Sequence, residues 1–517
     1  MIAKARRGFA AVLAIVAVLT AVRVALLVLT PLQLYPDEAQ YWWWAQTPAF
    51  GYFSKPPMIA WLIRFTTALF GDGEWAIRLA APLLHGGTAL LLYAIGKRTG
   101  GERIGFWSAL AYATVPGVSY SCSLISTDVP LLFFWALALY AFLAALDGEG
   151  WRWPLLCGAA LGLGLLSKYA MLYFVAGMML SALVSSRARA LLLGRRGAAV
   201  AAIGLLLLLP NLAWDQAHGF VTVTRIAADA DWRQAQFRLL DTLEFLGGQF
   251  GVFGPLLLAG FLLALWRLAR KPEAMLLNSR EDGLILSAFA LPPLLVMSVQ
   301  AFAAGANANW AAPGYVSALP LAIAALLATR RHWGLKASFT VNLVVMAGLW
   351  LVLLWPALGE AMGIGNAFKR EEGWRGLSQA VLVAAQAGPY DAIAAANRSV
   401  MAELTYYARP RALPLRMWRG GPADNHFQMT MPLTPASRRV LLVLLPHETR
   451  RVLPTFESHR AIGTVSFAVG GGHLRVAEMF DARRYRGFGH RVSNESDQSL
   501  TFRSQSQHGL ACCFAHR

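Results

Sequence analysis

Apolar residues in this chain do not alternate or recur at intervals. They run in blocks, most of them close to twenty residues long, and the blocks stop about two thirds of the way along. They lie at about residues 9–30, 76–96, 104–121, 128–146, 153–166, 169–185, 197–213, 245–267, 283–303, 311–328 and 336–357. About twenty apolar residues in a helix cross the hydrocarbon core of a bilayer, so the pattern predicts about eleven spans. The shortest two meet at Ser167-Lys168-Tyr169. The first block follows Lys4, Arg6 and Arg7 and runs without a small-residue cleavage site into Leu32-Gln33-Leu34-Tyr35, which reads as an uncleaved span and not as a signal peptide.

Beyond residue 358 the pattern changes. Between about 359 and 486 the apolar runs are short and bounded by charge, as in Val440-Leu441-Leu442-Val443-Leu444-Leu445, which predicts strands of a small α/β domain after a helical stretch at 377–408. Residues 487–517, rich in Ser, Gln, Arg and His, carry no periodic apolar pattern and are expected to be disordered. The fold class expected is a polytopic α-helical membrane protein with a small C-terminal soluble α/β domain. Its parts are a membrane domain at 1–358 with a first outer loop at 31–75, the soluble domain at 359–486, and the tail. No internal repeat is visible.

Composition agrees and adds an orientation. Of 517 residues, 57% are hydrophobic and 14% charged, against about 25% charged in a soluble protein. So few charges cannot cover a water-exposed surface. The net charge of +18 would suggest nucleic acid in a soluble chain. Here the cations collect in short loops: Lys97, Arg98 and Arg103; Arg187, Arg189, Arg195 and Arg196; Arg267, Arg270, Lys271 and Arg280; Arg330, Arg331 and Lys336. Threading from an inside N-terminus puts all four groups in the cytoplasm, as the positive-inside rule requires, and the C-terminal domain outside. No basic stripe with interleaved aromatics remains to bind nucleic acid. Cys122, Cys157, Cys512 and Cys513 have neither metal-site nor disulfide-framework spacing.

Ionisable groups at membrane depth are costly unless they serve a site or find a partner. In this topology Asp37, Glu38, Lys55, Asp128, Lys168, Asp215, His218, Asn307 and Asn309 all fall at outer span ends or in outer loops. Paired carboxylates such as Asp37-Glu38 can supply a general base, or a helix start. The Trp42–Trp44 run reads as an interfacial belt if taken alone. Lys55, held before Pro56-Pro57, can neutralise a phosphate or snorkel. Asp128, in Ser126-Thr127-Asp128-Val129-Pro130-Leu131, can serve a site or cap a helix.

Taken in order, these segments resemble the GT-C glycosyltransferases that take a sugar from a polyisoprenyl phosphate, a group that includes protein O-mannosyltransferases and lipid A aminoarabinose transferases. The likeness rests on Asp37-Glu38 after the first span, Ser54-Lys55-Pro56-Pro57, Thr127-Asp128-Val129-Pro130-Leu131, Gly164-Leu165-Leu166-Ser167-Lys168-Tyr169, Pro210-Asn211-Leu212-Ala213-Trp214-Asp215 and Asn309-Trp310-Ala311-Ala312-Pro313. It covers about residues 10 to 380. The tail resembles the outer domain of the aminoarabinose branch in placement and size alone.

The resemblance implies that Asp37 acts at the acceptor with Glu38 as its catalytic neighbour, and that attack at the anomeric carbon expels the lipid phosphate with inversion. Asp37 abstracts a proton from a hydroxyl acceptor or orients a phosphate acceptor. Lys55 and Lys168, then Arg78 and Arg23, are the cations expected at the leaving phosphate; Arg23, inside the first span, is otherwise expected to snorkel or to pair with a carboxylate. Asp128 is expected to hold Lys55 or a sugar hydroxyl, and Tyr41, Asp215, His218 and Asn309 to contact substrate. No cofactor is called for; a divalent metal at Asp37, Glu38 and His218 is the alternative, without ligand spacing of metal-site quality. The expected partners are an undecaprenyl-phosphate-type donor, an envelope acceptor such as lipid A, and membrane lipid, in the inner membrane with a periplasmic C-terminal domain. A protein acceptor, or a transporter or flippase for lipid-linked sugar, are the other readings. A transporter would show inverted repeats and midplane broken helices.

Overall fold

Every apolar block of the sequence is helical in the computed structural model, which describes residues 2–230, 238–329 and 332–487. Arg330, Arg331, Cys512, Cys513 and the tail from 488, with its expected disorder, lie outside the described residues. Seven described helices are long and apolar enough to cross a bilayer: Gly8–Leu29, Glu74–Gly100, Asp128–Leu146, Arg195–Ala217, Arg280–Ala304, Ala308–Leu327 and Trp333–Leu354. The protein is a multi-pass membrane protein.

The other four blocks are helices interrupted by particular residues. The block at 245–267 is a pair, Leu239–Phe253 and Pro255–Arg270, bent by 103°. Gly254 stands at the joint with φ +88°, which a side chain would resist, and Pro255 follows with no amide to continue the first helix. Counted as one, the pair brings the spans to eight. The block at 104–121 is Glu102–Thr114 and Pro116–Ser121, divided at Val115. The blocks at 153–166 and 169–185 are the shorter apolar helices Arg152–Ser167 and Tyr169–Val184. They break at Lys168, whose backbone is extended (φ −162°, ψ 135°). Apolar content thus marks eleven helical blocks, whereas unbroken length decides how many span.

The chain divides into two compact units. One contains the chain up to Thr30 together with Lys55–Leu354. Its core includes Trp135, Phe142, Phe174 and Phe289, with Phe289 in ring contact with Phe174 at 4.6 Å and Phe142 at 5.2 Å. Small residues let helices approach: a Cβ added at Gly96 would come within 2.9 Å of Gly105 Cα on the following helix. Leu205, Leu206 and Leu209 stay exposed on a spanning helix, as side chains facing lipid do.

Polar groups mark two ends of this unit. Asp128 opens the 19-residue helix Asp128–Leu146 and Asp147 follows it, about 28 Å away along the axis. At the Asp147 end, Arg187 reaches Asp147 at 3.3 Å and Glu281 at 2.8 Å, and Arg98 also pairs with Asp147. Three of the cation-rich loops therefore meet at one end.

The other unit contains Pro31–Ser54 and the chain from Trp355. Its sheet has five strands in the order β2-β1-β3-β5-β4: β1 Ala392–Ala395, β2 Leu415–Met417, β3 Arg439–Leu444, β4 Phe456–Val469 and β5 His473–Tyr485. β1 is parallel to both β2 and β3, while β5 is antiparallel to β3 and β4. All four residues of β1 are buried, as expected of a strand covered on both faces. Between the neighbouring strands β3 and β5, Arg439 forms a double hydrogen bond with Asp481 at 3.0 and 2.8 Å, and that contact holds the Asp481 carboxyl below its usual range.

Candidate functional site

The Asp-Glu pair begins the helix Pro36–Gln46, and the helix uses its two carboxylates differently. Tyr35 is extended ahead of Pro36, which fixes the first helical φ. Glu38, three residues after Tyr35, turns back so that its Oε2 accepts the Tyr35 amide at 2.9 Å, and it is 1% exposed. This is a capping-box carboxylate, satisfying an amide that the first turn leaves without a helical partner. Asp37 is not the cap. Its Oδ1 accepts from Arg398 Nη1 at 2.7 Å, and the same nitrogen donates to Gln40 Oε1 at 3.1 Å. The Asp37 side chain is 40% exposed, and Oδ2 has no hydrogen-bond partner among the described residues.

Arg398 is positioned by the sheet. The chain leaves β1 toward β2 while β3 lies on the other side of β1, so the carboxyl end of β1 is a topological switch point, where open α/β sheets form their ligand crevices. Asn397 caps the helix Arg398–Tyr407 there, its Oδ1 accepting from the amides of Ser399 at 2.8 Å and Val400 at 3.3 Å. Arg398 is therefore the first helical residue. Burial opposes its charge, but the charge and hydrogen bond of Asp37, with smaller contributions from Tyr41 and Tyr35, outweigh burial and raise its pKa. Tyr35 is itself pushed up, by burial and then by Asp37, while its hydroxyl accepts from Arg370 Nη1 at 2.5 Å.

The aromatic run packs inward. Trp42 and Trp44 are 3% and 0% exposed, so they are core residues of this unit and not the interfacial belt that the sequence suggests. Trp44 stacks on Tyr52 at 4.6 Å and meets Tyr41 at 5.2 Å. Tyr41 is thereby buried against tryptophan. The Tyr52 hydroxyl donates to the Trp44 carbonyl at 3.0 Å, and burial pushes its pKa up to about 12.

In the membrane unit, Asp128 gathers a second cluster. Lys168 Nζ donates to its Oδ1 at 2.7 Å and Asn309 Nδ2 to its Oδ2 at 2.9 Å. Both oxygens are thus held by side chains from other segments, so Asp128 does not cap its helix, and the lysine it holds is Lys168 where Lys55 was expected. The break between two short helices presents Lys168, and the single turn Ala308–Ala311 presents Asn309. The Lys168 and Asp128 side chains retain 21% and 12% exposure, which leaves the pair accessible.

Asp215, His218 and Arg23 have local partners. Asp215 is buried and its Oδ1 accepts the Thr222 amide at 2.8 Å, which ties down the start of the next helix. His218 is exposed, stacks on Trp214 at 4.0 Å and donates from Nδ1 to the Trp214 carbonyl at 2.7 Å. Arg78 is 1% exposed at the end of Glu74–Arg78, and Lys55 is half-buried before Pro56 and Pro57. Arg23 does not snorkel and meets no carboxylate among the described residues: it is 3% exposed, donates to the Ala113 carbonyl and lies 3.9 Å from Met346 Sδ. Among the described residues no three His, Cys, Asp or Glu side chains converge as metal ligands would. Arg398 escaped sequence reading, because an arginine after a short Ala-rich run shows no signal until the sheet brings it to the first loop.

The chain is similar to known proteins. Residues 54–214 match the family model described as dolichyl-phosphate-mannose-protein mannosyltransferase. The chain is 36% identical over 390 residues to the lipid A galacturonosyltransferase RgtD of Rhizobium johnstonii, covering 75% of this chain and 80% of that protein. It is 34% identical over 122 residues to an undecaprenyl phosphate-alpha-4-amino-4-deoxy-L-arabinose arabinosyl transferase of Pseudomonas fluorescens, covering 23% of this chain and 21% of that one. The crystal structure of ArnT from Cupriavidus metallidurans bound to undecaprenyl phosphate shares the fold, with a TM-score of 0.61 at 18% identity over 90% of this chain and 97% of that one.

Proposed function

The chain belongs to the GT-C polyisoprenyl-phosphate-sugar glycosyltransferases, and on that premise we propose that it transfers galacturonic acid from an undecaprenyl-phosphate-type carrier to lipid A. The relative named as a lipid A galacturonosyltransferase, alike over four fifths of its length, supports both sugar and acceptor. The structure solved with undecaprenyl phosphate supports the carrier.

The observation that carries the chemistry is the division of labour between Asp37 and Glu38. Glu38 is consumed in the cap, while Asp37 is anchored through one oxygen and keeps the other available. An acceptor hydroxyl would give its proton to Asp37 Oδ2 as its oxygen attacks the anomeric carbon; a phosphate acceptor would only be oriented. The bond to the carrier phosphate breaks, configuration inverts, and the carrier leaves with added negative charge. Lys168, set by Asp128 and Asn309, is the cation assigned to that charge, with Lys55 and Arg78 as further ones. The gathering of three cation-rich loops at one end of the membrane unit supports an inside N-terminus and an inner-membrane enzyme whose C-terminal unit faces the periplasm. A protein acceptor is the second reading, favoured by the family model matched at residues 54–214.

Mass spectrometry of lipid A from cells with and without the gene tests the proposal. Loss of one hexuronic acid residue from lipid A is the expected result. Unchanged lipid A with an altered envelope protein would move the assignment to the protein acceptor.

A further inference from the structure

We infer that Gln249 is the positioning residue for the ion pair of Asp128 with Lys168: it fixes the turn that carries Asn309, and Asn309 in turn sets the carboxylate. Its bearing on turnover rests on the reading of Lys168 as the cation at the leaving phosphate, to which it adds what holds that cation in place.

Asn309 lies on the single helical turn Ala308–Ala311, between the helices Arg280–Ala304 and Ala312–Leu327. A lone turn of this kind has few internal hydrogen bonds of poor geometry, so its place must be set from outside. The helix Leu239–Phe253 does this with one face, on which Phe245, Gly248, Gln249 and Phe253 recur at helical spacing. Phe245 is 1% exposed and shares a core cluster with Ala301 and Ala311, and Phe253 stacks on Tyr315 at 4.1 Å. At Gly248 the two segments are so close that an added Cβ would lie 2.7 Å from Ala308 Cβ. Leu239, Leu243, Leu246 and Phe250, on a different face of the same helix, stay exposed.

Gln249 uses both ends of its amide in this contact. It is 3% exposed, and its Nε2 donates to the Phe245 carbonyl at 2.8 Å and to the Ala308 carbonyl at 3.3 Å, while its Oε1 accepts from the Tyr315 hydroxyl at 2.8 Å. The first bond orients the amide on its own helix. The other two hold the residue just before Asn309 and the start of the helix just after the turn. Asn309 Nδ2 then donates to Asp128 Oδ2 at 2.9 Å, which leaves Oδ1 for Lys168 at 2.7 Å. An apolar side chain at position 249 would take these partners from a carbonyl and a hydroxyl that lie away from water, and the turn would shift to satisfy them. A displacement of about 1 Å in groups that meet the reacting atoms lowers turnover by up to about a hundredfold.

The test reads two quantities on the purified full chain: turnover with undecaprenyl-phosphate-linked galacturonic acid and lipid A, and the rate at which an amine-acylating reagent modifies Lys168, followed by mass spectrometry. Gln249→Leu should lower kcat by about tenfold or more with donor KM little changed, and should speed modification of Lys168 severalfold, to the level of Asn309→Ala. Lys97, paired with Glu102 at 3.0 Å, should be modified as in the parent and so reports an intact fold. In the Asn309→Ala background, Gln249→Leu should add nothing to either quantity, because its effect runs through Asn309. Gly248→Ala, which presses on Ala308 and keeps the Gln249 amide, should reproduce both changes and decides the matter if Gln249→Leu does not fold. Effects that add in the double variant, or Lys168 modified at the parent rate in Gln249→Leu and Gly248→Ala, would overturn the inference. Faster modification of Lys168 together with parental turnover in Asn309→Ala and Lys168→Ala would refute Lys168 as the cation at the leaving phosphate and leave the positioning of the pair standing.

Discussion

Replacing Asp37 by Asn separates the catalytic reading of this carboxylate from a structural one. The change keeps the shape of the side chain and an oxygen able to accept from Arg398 Nη1, now 2.7 Å from Asp37 Oδ1. What it removes is the charge of a pair whose side chains are 40% and 25% exposed. Pairs that open to water contribute at most about 1 kcal/mol to stability. The helix start should survive as well, since the cap is made by Glu38 and the Tyr35 amide. Catalysis has no such reserve, because an amide cannot take up a proton or orient an acceptor by charge. Loss of a general base lowers turnover by at least about a hundredfold, equivalent to roughly 2.7 kcal/mol in the barrier. The assay is transfer of labelled sugar from a polyprenyl phosphate donor in detergent, with thermal unfolding of the same preparations. Asp37→Asn should unfold within about 1 kcal/mol of the parent and be nearly inactive. Glu38→Gln should keep most activity, because glutamine also serves a capping box. Retained activity in Asp37→Asn with loss in Glu38→Gln would refute the division of roles; activity retained in both would remove the first loop from the chemistry.

Lys168→Ala and Lys55→Ala should each lower turnover roughly a hundredfold in folded protein, and near-normal turnover at saturating donor would take that lysine away from the leaving phosphate. A phosphatase fused after residue 400 should be active and a cytoplasmic reporter at the same point dark; the reverse pattern would invert the orientation drawn from the loop charges. The Asp481 carboxyl is depressed by its hydrogen bond from Arg439, so its contribution to stability is present above the unfolded carboxylate pKa of about 3.9 and is lost as pH falls through the lower folded value. Unfolding of the parent and Asp481→Asn should therefore differ at pH 7 and converge in acid, and a gap that persists there would mean that packing, not charge, is what Asp481 supplies.

The membrane architecture was legible in the chain because hydrocarbon imposes one rule on every residue of a span, and that rule is satisfied or broken locally. Eleven apolar blocks become eleven helical regions, and the family likeness follows from short motifs in fixed order. Even the breaks are local in cause, at Gly254-Pro255, Val115-Pro116 and Lys168, although apolar content alone does not register how they divide a block. Asp37, Lys168 and Asn309 were also visible, since a polar group in an apolar setting stands out from its neighbours.

Which groups meet was decided by the tertiary structure. Glu38 and Asp37 are adjacent and chemically alike, yet the reach of one side chain to Tyr35 sends it to the cap and leaves the other for Arg398, 361 positions away. Asp128 selects Lys168 and Asn309 over Lys55 because a helix break and a single turn deliver them to its two oxygens. Trp42 and Trp44 leave the interface for a core because the first loop belongs to the unit that also contains the sheet. Apolar character is a property each residue carries with it, so sequence determines which blocks leave water; a hydrogen bond or ion pair is directional and short, so its partner is set only when distant segments have been packed within about 3 Å.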